Sequence, residues 1–170
     1  MATTATSRLP DRRDALLIAA AAVGVNLIGA LGVPFTTARS AWFASLELPA
    51  FYPPSWAFGV VWPILYALLG AAAALVYLAG RDGAASARWV RTALALFGVQ
   101  LVVNVAWSPV FWGLERADLG LVVLVALLPL VVATIVAFDR VDRRAAALVV
   151  PYLAWVCFAT ALNYAIWALN

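Results

Sequence analysis

The residues in this sequence that could do chemistry are uncharged. Gln100, Asn104, Trp107 and Phe111 follow one another at spacings of 4, 3 and 4, which places them on one face of a helix. Tyr152, Trp155, Ala159 and Asn163 repeat the pattern at spacings of 3, 4 and 4, and Phe58, Trp62 and Tyr66 form a third stripe. Ring faces offer stacking surface and amides orient a polar edge. Three such stripes converging would enclose an apolar pocket with a few hydrogen-bonding groups, the usual character of a small-molecule site.

The chain holds no Lys and no His. That excludes a Schiff-base lysine and removes the commonest metal and haem ligand. The lone Cys157 excludes an internal disulfide and reads as a small packed residue. The formal net charge of +3 is too small to suggest nucleic acid as a partner. Asn and Gln inside apolar helices also serve simply to bond neighbouring helices. Trp56, Trp89 and Trp112 fall at the ends of apolar runs, where Trp anchors a membrane interface.

The elements that must position these stripes are membrane spans. Of 170 residues, 66% are hydrophobic and 11% charged, against about 25% charged in an average soluble domain. Lipid is the solvent that accommodates such a composition. Five apolar runs predict five spans, over residues 15–33, 56–79, 92–112, 119–138 and 145–169, in a single all-α integral membrane bundle. The first run follows basic residues, and Ala38-Arg39-Ser40 is weakly cleavage-like. Its length of about 19 residues exceeds the 7–15 of a signal-peptide core, so a retained span is expected. Between the first two spans lies an aromatic, Pro-rich loop, residues 35–55.

No span contains an ionisable Asp, Glu, Arg, Lys or His. Ion-coupled carriers mark their pathways with such groups, and hydrolytic catalysis needs a base or activated nucleophile. Neither is expected here. Nine of eleven Arg residues fall on one side: Arg8, Arg12, Arg13, Arg81, Arg88, Arg91, Arg140, Arg143 and Arg144, with Arg39 and Arg116 opposite. The positive-inside rule then puts the N-terminus in the cytoplasm and the C-terminus outside, in what is expected to be the cytoplasmic membrane. Gly24, Gly29 and Gly32 in the first span, and Ala95 with Gly98 in the third, would allow close helix approach, including between two copies.

The stretch LPAFYPPSWAFGVVWPILY, residues 48–66, resembles the signature of the translocator protein family, the tryptophan-rich sensory proteins (TspO/MBR). Pro49, Phe51, Pro53, Pro54, Trp56, Phe58, Trp62 and Tyr66 match it in order. QLVVNVAWSPVFWG, residues 100–113, and PYLAWVCFATALNYAIWALN, residues 151–170, resemble the family's third- and fifth-helix motifs. The resemblance implies a five-helix membrane protein, commonly a homodimer. It implies binding of protoporphyrin IX, haem and other flat hydrophobic ligands under the first loop, with no cofactor required. Carried over by motif, Trp42, Trp62, Gln100, Asn104, Trp155 and Ala159 would line the pocket; Trp42 rests on the resemblance alone. The stripes add Tyr66, Trp107, Tyr152 and Asn163. Transport or stress sensing is the expected role. Light-dependent porphyrin breakdown and a non-catalytic regulatory role are the alternatives. The animal sterol motif is incomplete here, since Leu162 and Tyr164 are followed by Ala168 where a basic residue is needed, so sterol is not an expected partner. Leu48 stands where the family often has Lys.

Overall fold

Four side chains start helices by capping orphan backbone N–H groups. The Asp11 carboxylate accepts from the N–H groups of Arg13 and Asp14 at 2.8 and 2.9 Å, opening α1 (Arg12–Gly29), which tightens into a 3₁₀ turn, Ala30–Phe35. Ser40 Oγ accepts from Phe43 N–H and starts the short α2 (Ala41–Ser45). After Pro54 comes α3 (Ser55–Arg81). Ser86 caps α4 (Ala87–Ser108), which runs on into a π turn, Pro109–Gly113. Then follow α5 (Ala117–Asp139) and α6 (Arg143–Leu169), the latter capped by Asp142. This computed structural model describes residues 11–36 and 40–170, and no strand occurs among them.

Five stretches are long and apolar enough to cross a membrane: Arg12–Phe35, Ser55–Arg81, Ala87–Gly113, Ala117–Asp139 and Arg143–Leu169. Each expected span lies inside one of them. The observed helices reach a little further because the polar and charged residues that bound each apolar run form its first or last helical turn. The fold is therefore the expected all-α membrane bundle. Arg8, Arg39 and most of the Ala38-Arg39-Ser40 tripeptide lie outside the described residues.

Helices α3, α4, α5 and α6 form a ring, with α3 against α4 and α6, and α5 against the same two. Helix α1 packs outside the ring on α3, its 3₁₀ end reaching α4. Leu69, Val76, Leu127, Val131, Val149 and Val156 fill the centre with no exposed surface, while Leu27, Val102 and Val122 face outward on the lipid side. Lipid tails are as apolar as Leu, so close packing rather than hydrophobic exclusion holds such helices together. Two glycines show this. A Cβ at Gly70 would overlap the backbone of Ala21 and Ala22, and one at Gly29 would overlap the ring of Tyr66. Gly29 thus serves packing within the chain, whereas Gly24 and Gly98 have nothing within 4 Å of a built Cβ.

The basic end is one face. Arg81 pairs with Asp14 at 2.9 Å, joining the end of α3 to the start of α1. The Arg140 guanidinium sits 4.4 Å above the Trp89 ring, joining the end of α5 to the start of α4. Trp56 and Trp89 are exposed, as interfacial anchors should be. Trp112 is not an anchor: it is 8% exposed, because the first loop folds back over it. A residue at a span's end faces lipid only where no loop covers it.

Candidate ligand-binding site

Trp62 and Tyr66, one turn apart on α3, stack with ring centroids 5.3 Å apart and planes 26° off parallel. Trp155 of α6 meets Trp62 edge-on at 6.3 Å and 87°. Phe58 and Phe158 flank Trp155 at 6.0 and 5.3 Å. From the loop, Tyr52 reaches Phe58 and Phe51 reaches Phe158. Burial lifts the Tyr52 phenol above its ordinary pKa, so the hydroxyl stays neutral across the physiological range. The stripes of α3 and α6 therefore converge under the loop, with Ala159 packed beside them.

Polar groups line the floor of this cluster. Tyr66 donates a 2.7 Å hydrogen bond to Asn104 Oδ1, tying α3 to α4. Four buried polar atoms in these stripes have no hydrogen-bond partner among the described residues: both amide atoms of Gln100, the Tyr152 hydroxyl and the Trp155 indole N–H. An unpaired buried donor or acceptor costs about 1–3 kcal/mol. Water or a bound molecule can satisfy such groups.

The remaining expected residues assemble elsewhere. Trp107 stacks on Phe111 at 4.8 Å and 20°, and its indole donates to Asn163 Oδ1 at 3.0 Å. Asn163 in turn donates to the Ala117 carbonyl at 2.7 Å. Trp42 packs edge-on against Phe111 and Trp112, and Phe43 lies 4.7 Å from Trp112. Trp42, Trp107 and Asn163 thus form a second cluster that seats α2 and brackets the α4–α5 turn. Trp107 touches both clusters.

The loop is fastened as well as seated. Glu47 N–H donates to Asn170 Oδ1 at 2.9 Å, and Asn170 Nδ2 donates to Glu47 O at 3.1 Å and to Ile166 O at 2.8 Å. A cleft of about 280 Å³ opens beside this latch, between Trp42, Leu46, Arg116 and Trp167. Phe43, Phe158 and Asn170 were not singled out by sequence. Phe158 carried a signal, three residues after Trp155 on the same face; Asn170 carried none. Cys157, expected as a small packed residue, is instead exposed, because two positions on from Trp155 the helix turns its side chain away from the bundle.

The arrangement is closed. A flat macrocycle between two ring faces needs roughly 7 Å, two van der Waals contacts of about 3.5 Å. Trp62, Tyr66 and Trp155 stand closer than that.

The sequence model of the TspO/MBR family matches residues 17–168. A tryptophan-rich protein TspO of Chlorobaculum tepidum is 38% identical over 161 residues, covering 91% of this chain and 97% of that protein. The human translocator protein is 37% identical over 129 residues, covering 76% and 75%. A tryptophan-rich sensory protein of Cereibacter sphaeroides is 36% identical over 153 residues, covering 88% and 92%.

Proposed function

The chain belongs to the TspO/MBR family of integral membrane proteins, and from that premise we propose that it binds tetrapyrroles such as protoporphyrin IX or haem, and other flat hydrophobic ligands, between α3, α4 and α6. The observation that carries this reading is the meeting of Trp62, Tyr66 and Trp155 beside buried polar atoms with no partner among the described residues. Stacked aromatic walls suit a planar ring, and the amides suit its polar edge. With no His in the chain and Cys157 facing out, haem is held by its ring rather than by axial ligation at these residues. Such a site serves a carrier of tetrapyrroles or a sensor of tetrapyrrole stress.

The arginine distribution supports an N-terminus in the cytoplasm and a cytoplasmic-membrane location, with the loop and the latch outside. The test of binding is a titration of purified protein with protoporphyrin IX in the dark, following Trp fluorescence and porphyrin absorption. Saturable quenching supports the site. Failure of any porphyrin to bind favours a purely regulatory membrane protein.

A second reading has its own observation. Trp155, Trp62 and Tyr66 form a contiguous run of redox-active rings, which suits light-dependent porphyrin breakdown. Repeating the titration under illumination separates it from plain binding, since only breakdown yields a product with a changed absorption spectrum.

A further inference from the structure

At the basic end of the bundle, far along the helices from the aromatic clusters, a groove of about 420 Å³ runs between the end of α5 and the start of α6. Its walls are Ile135, Val136 and Val150, and Ala146 forms its floor. Val136 and Val150 are 49% and 51% exposed, so the walls open outward toward the hydrocarbon rather than into the bundle. Arg140, Arg143 and Asp139 stand at the mouth.

The charges at that mouth are unevenly matched. Asp142 is taken by Arg144 at 2.8 Å and by capping α6. Asp139 reaches Arg143 only at 3.6 Å, with side chains 58% and 91% exposed, a pair of the loose surface kind that contributes little. Arg140 has no carboxylate within ion-pair distance among the described residues and is held by the Trp89 ring instead. Two guanidinium groups against one carboxylate leave the mouth with a net positive charge, directly above an apolar trough.

We propose that this groove seats one anionic phospholipid, its phosphate between Arg140 and Arg143 and an acyl chain along Ile135, Val136 and Val150. Guanidinium forks match phosphate oxygens in geometry and charge. Basic pockets between spans at a membrane surface recognise anionic headgroups. Trp89 fixes the depth, since an indole at the end of a span sits at headgroup level. The apolar walls select a lipid over free phosphate, which would gain nothing from them. The phosphate displaces Asp139 from Arg143, an exchange made easy by the weakness of that pair.

The test uses the full chain in nanodiscs of phosphatidylcholine containing a minor fraction of phosphatidylglycerol, with retained lipid counted by native mass spectrometry. Arg140→Gln and Arg143→Gln should each weaken phosphatidylglycerol retention about fivefold, the effect of one arginine near a membrane surface. Val150→Phe, which fills the trough without changing charge, should also displace the lipid, and Arg140→Lys should retain part of it. Arg88→Gln and Arg91→Gln, on the same face but outside the groove, should change nothing. Equal losses in all four Arg→Gln variants would reduce the effect to diffuse surface charge and overturn the proposal. So would undiminished retention in folded Arg140→Gln and Arg143→Gln proteins, or displacement of the lipid by millimolar inorganic phosphate.

Discussion

The side-chain amide of Asn170 brackets the peptide of Glu47, accepting from its N–H and donating to its carbonyl, across 123 residues of sequence. It pairs with that peptide as a neighbouring strand would, and it fastens the first loop to the end of α6. This link, the ring contacts of Trp42, Phe43, Phe51 and Tyr52, and the packing of Leu46 hold the loop over the aromatic cluster.

Asn170→Ala removes both bonds. At about 1 kcal/mol for each neutral hydrogen bond, the loop should open more often, and porphyrin should associate and dissociate up to about thirtyfold faster. Stopped-flow quenching of Trp fluorescence reads both rates. Rates equal to those of the unaltered protein would mean that the loop does not gate the site.

Trp155 separates stacking from hydrogen bonding. Trp155→Ala removes a wall of the site and should weaken porphyrin binding by roughly 1–3 kcal/mol. Trp155→Phe keeps a wall and deletes a buried N–H that has no partner among the described residues, so thermal stability without ligand should hold or rise. Its affinity should fall much less than that of Trp155→Ala if stacking dominates, and about as much if the ligand uses that N–H. Normal affinity in a folded Trp155→Ala protein would move the site away from α6.

The Tyr66–Asn104 bond is a pair suited to a double-mutant cycle. Tyr66→Phe and Asn104→Leu should each cost about 1–3 kcal/mol of stability, because each leaves the other's polar group without its partner. The coupling between them should fall within about 0.5–3 kcal/mol. Gly29→Ala should disturb the same pair from the other side, since its methyl needs the space of the Tyr66 ring. Additive effects of the two substitutions, with no coupling, would show that the bond contributes nothing.

Orientation can be read directly. A reporter fused after Asn170 should be active only outside the cytoplasm, and one placed between Gly80 and Arg91 only inside. Cytoplasmic activity from the first fusion would reverse the assignment made from the arginines.

Helical spacing groups Trp62 with Tyr66 and Trp155 with Tyr152 because each lies mid-span, where period alone decides which way a side chain faces; that the two stripes meet is visible only in the structure. It could not say how many sites a stripe serves. Trp155 and Asn163 share a face of α6, yet eight residues of helix separate them by roughly 12 Å. One belongs to the cluster with Trp62 and the other brackets Trp107. Trp112 misled for a different reason: position in a span is visible in sequence, and coverage by a distant loop is not. The Asn170 latch was invisible because a single polar residue after an apolar run carries no periodicity at all. The resemblance that named Trp42 was the one means of reaching a loop residue, and the structure seats it on Phe111 and Trp112 rather than on Trp62.

The wall contributed by α6 has a consequence for how the protein is made. The chain enters the membrane in order, so the loop, α3, α4 and α5 are in place before α6 arrives. At that stage the Trp107 indole lacks its acceptor, Trp62 lacks its edge contact and Glu47 lacks Asn170. One insertion event supplies all three. Biosynthesis therefore acts as a checkpoint: no nascent chain holds the finished aromatic cluster, which closes in a single step with α6.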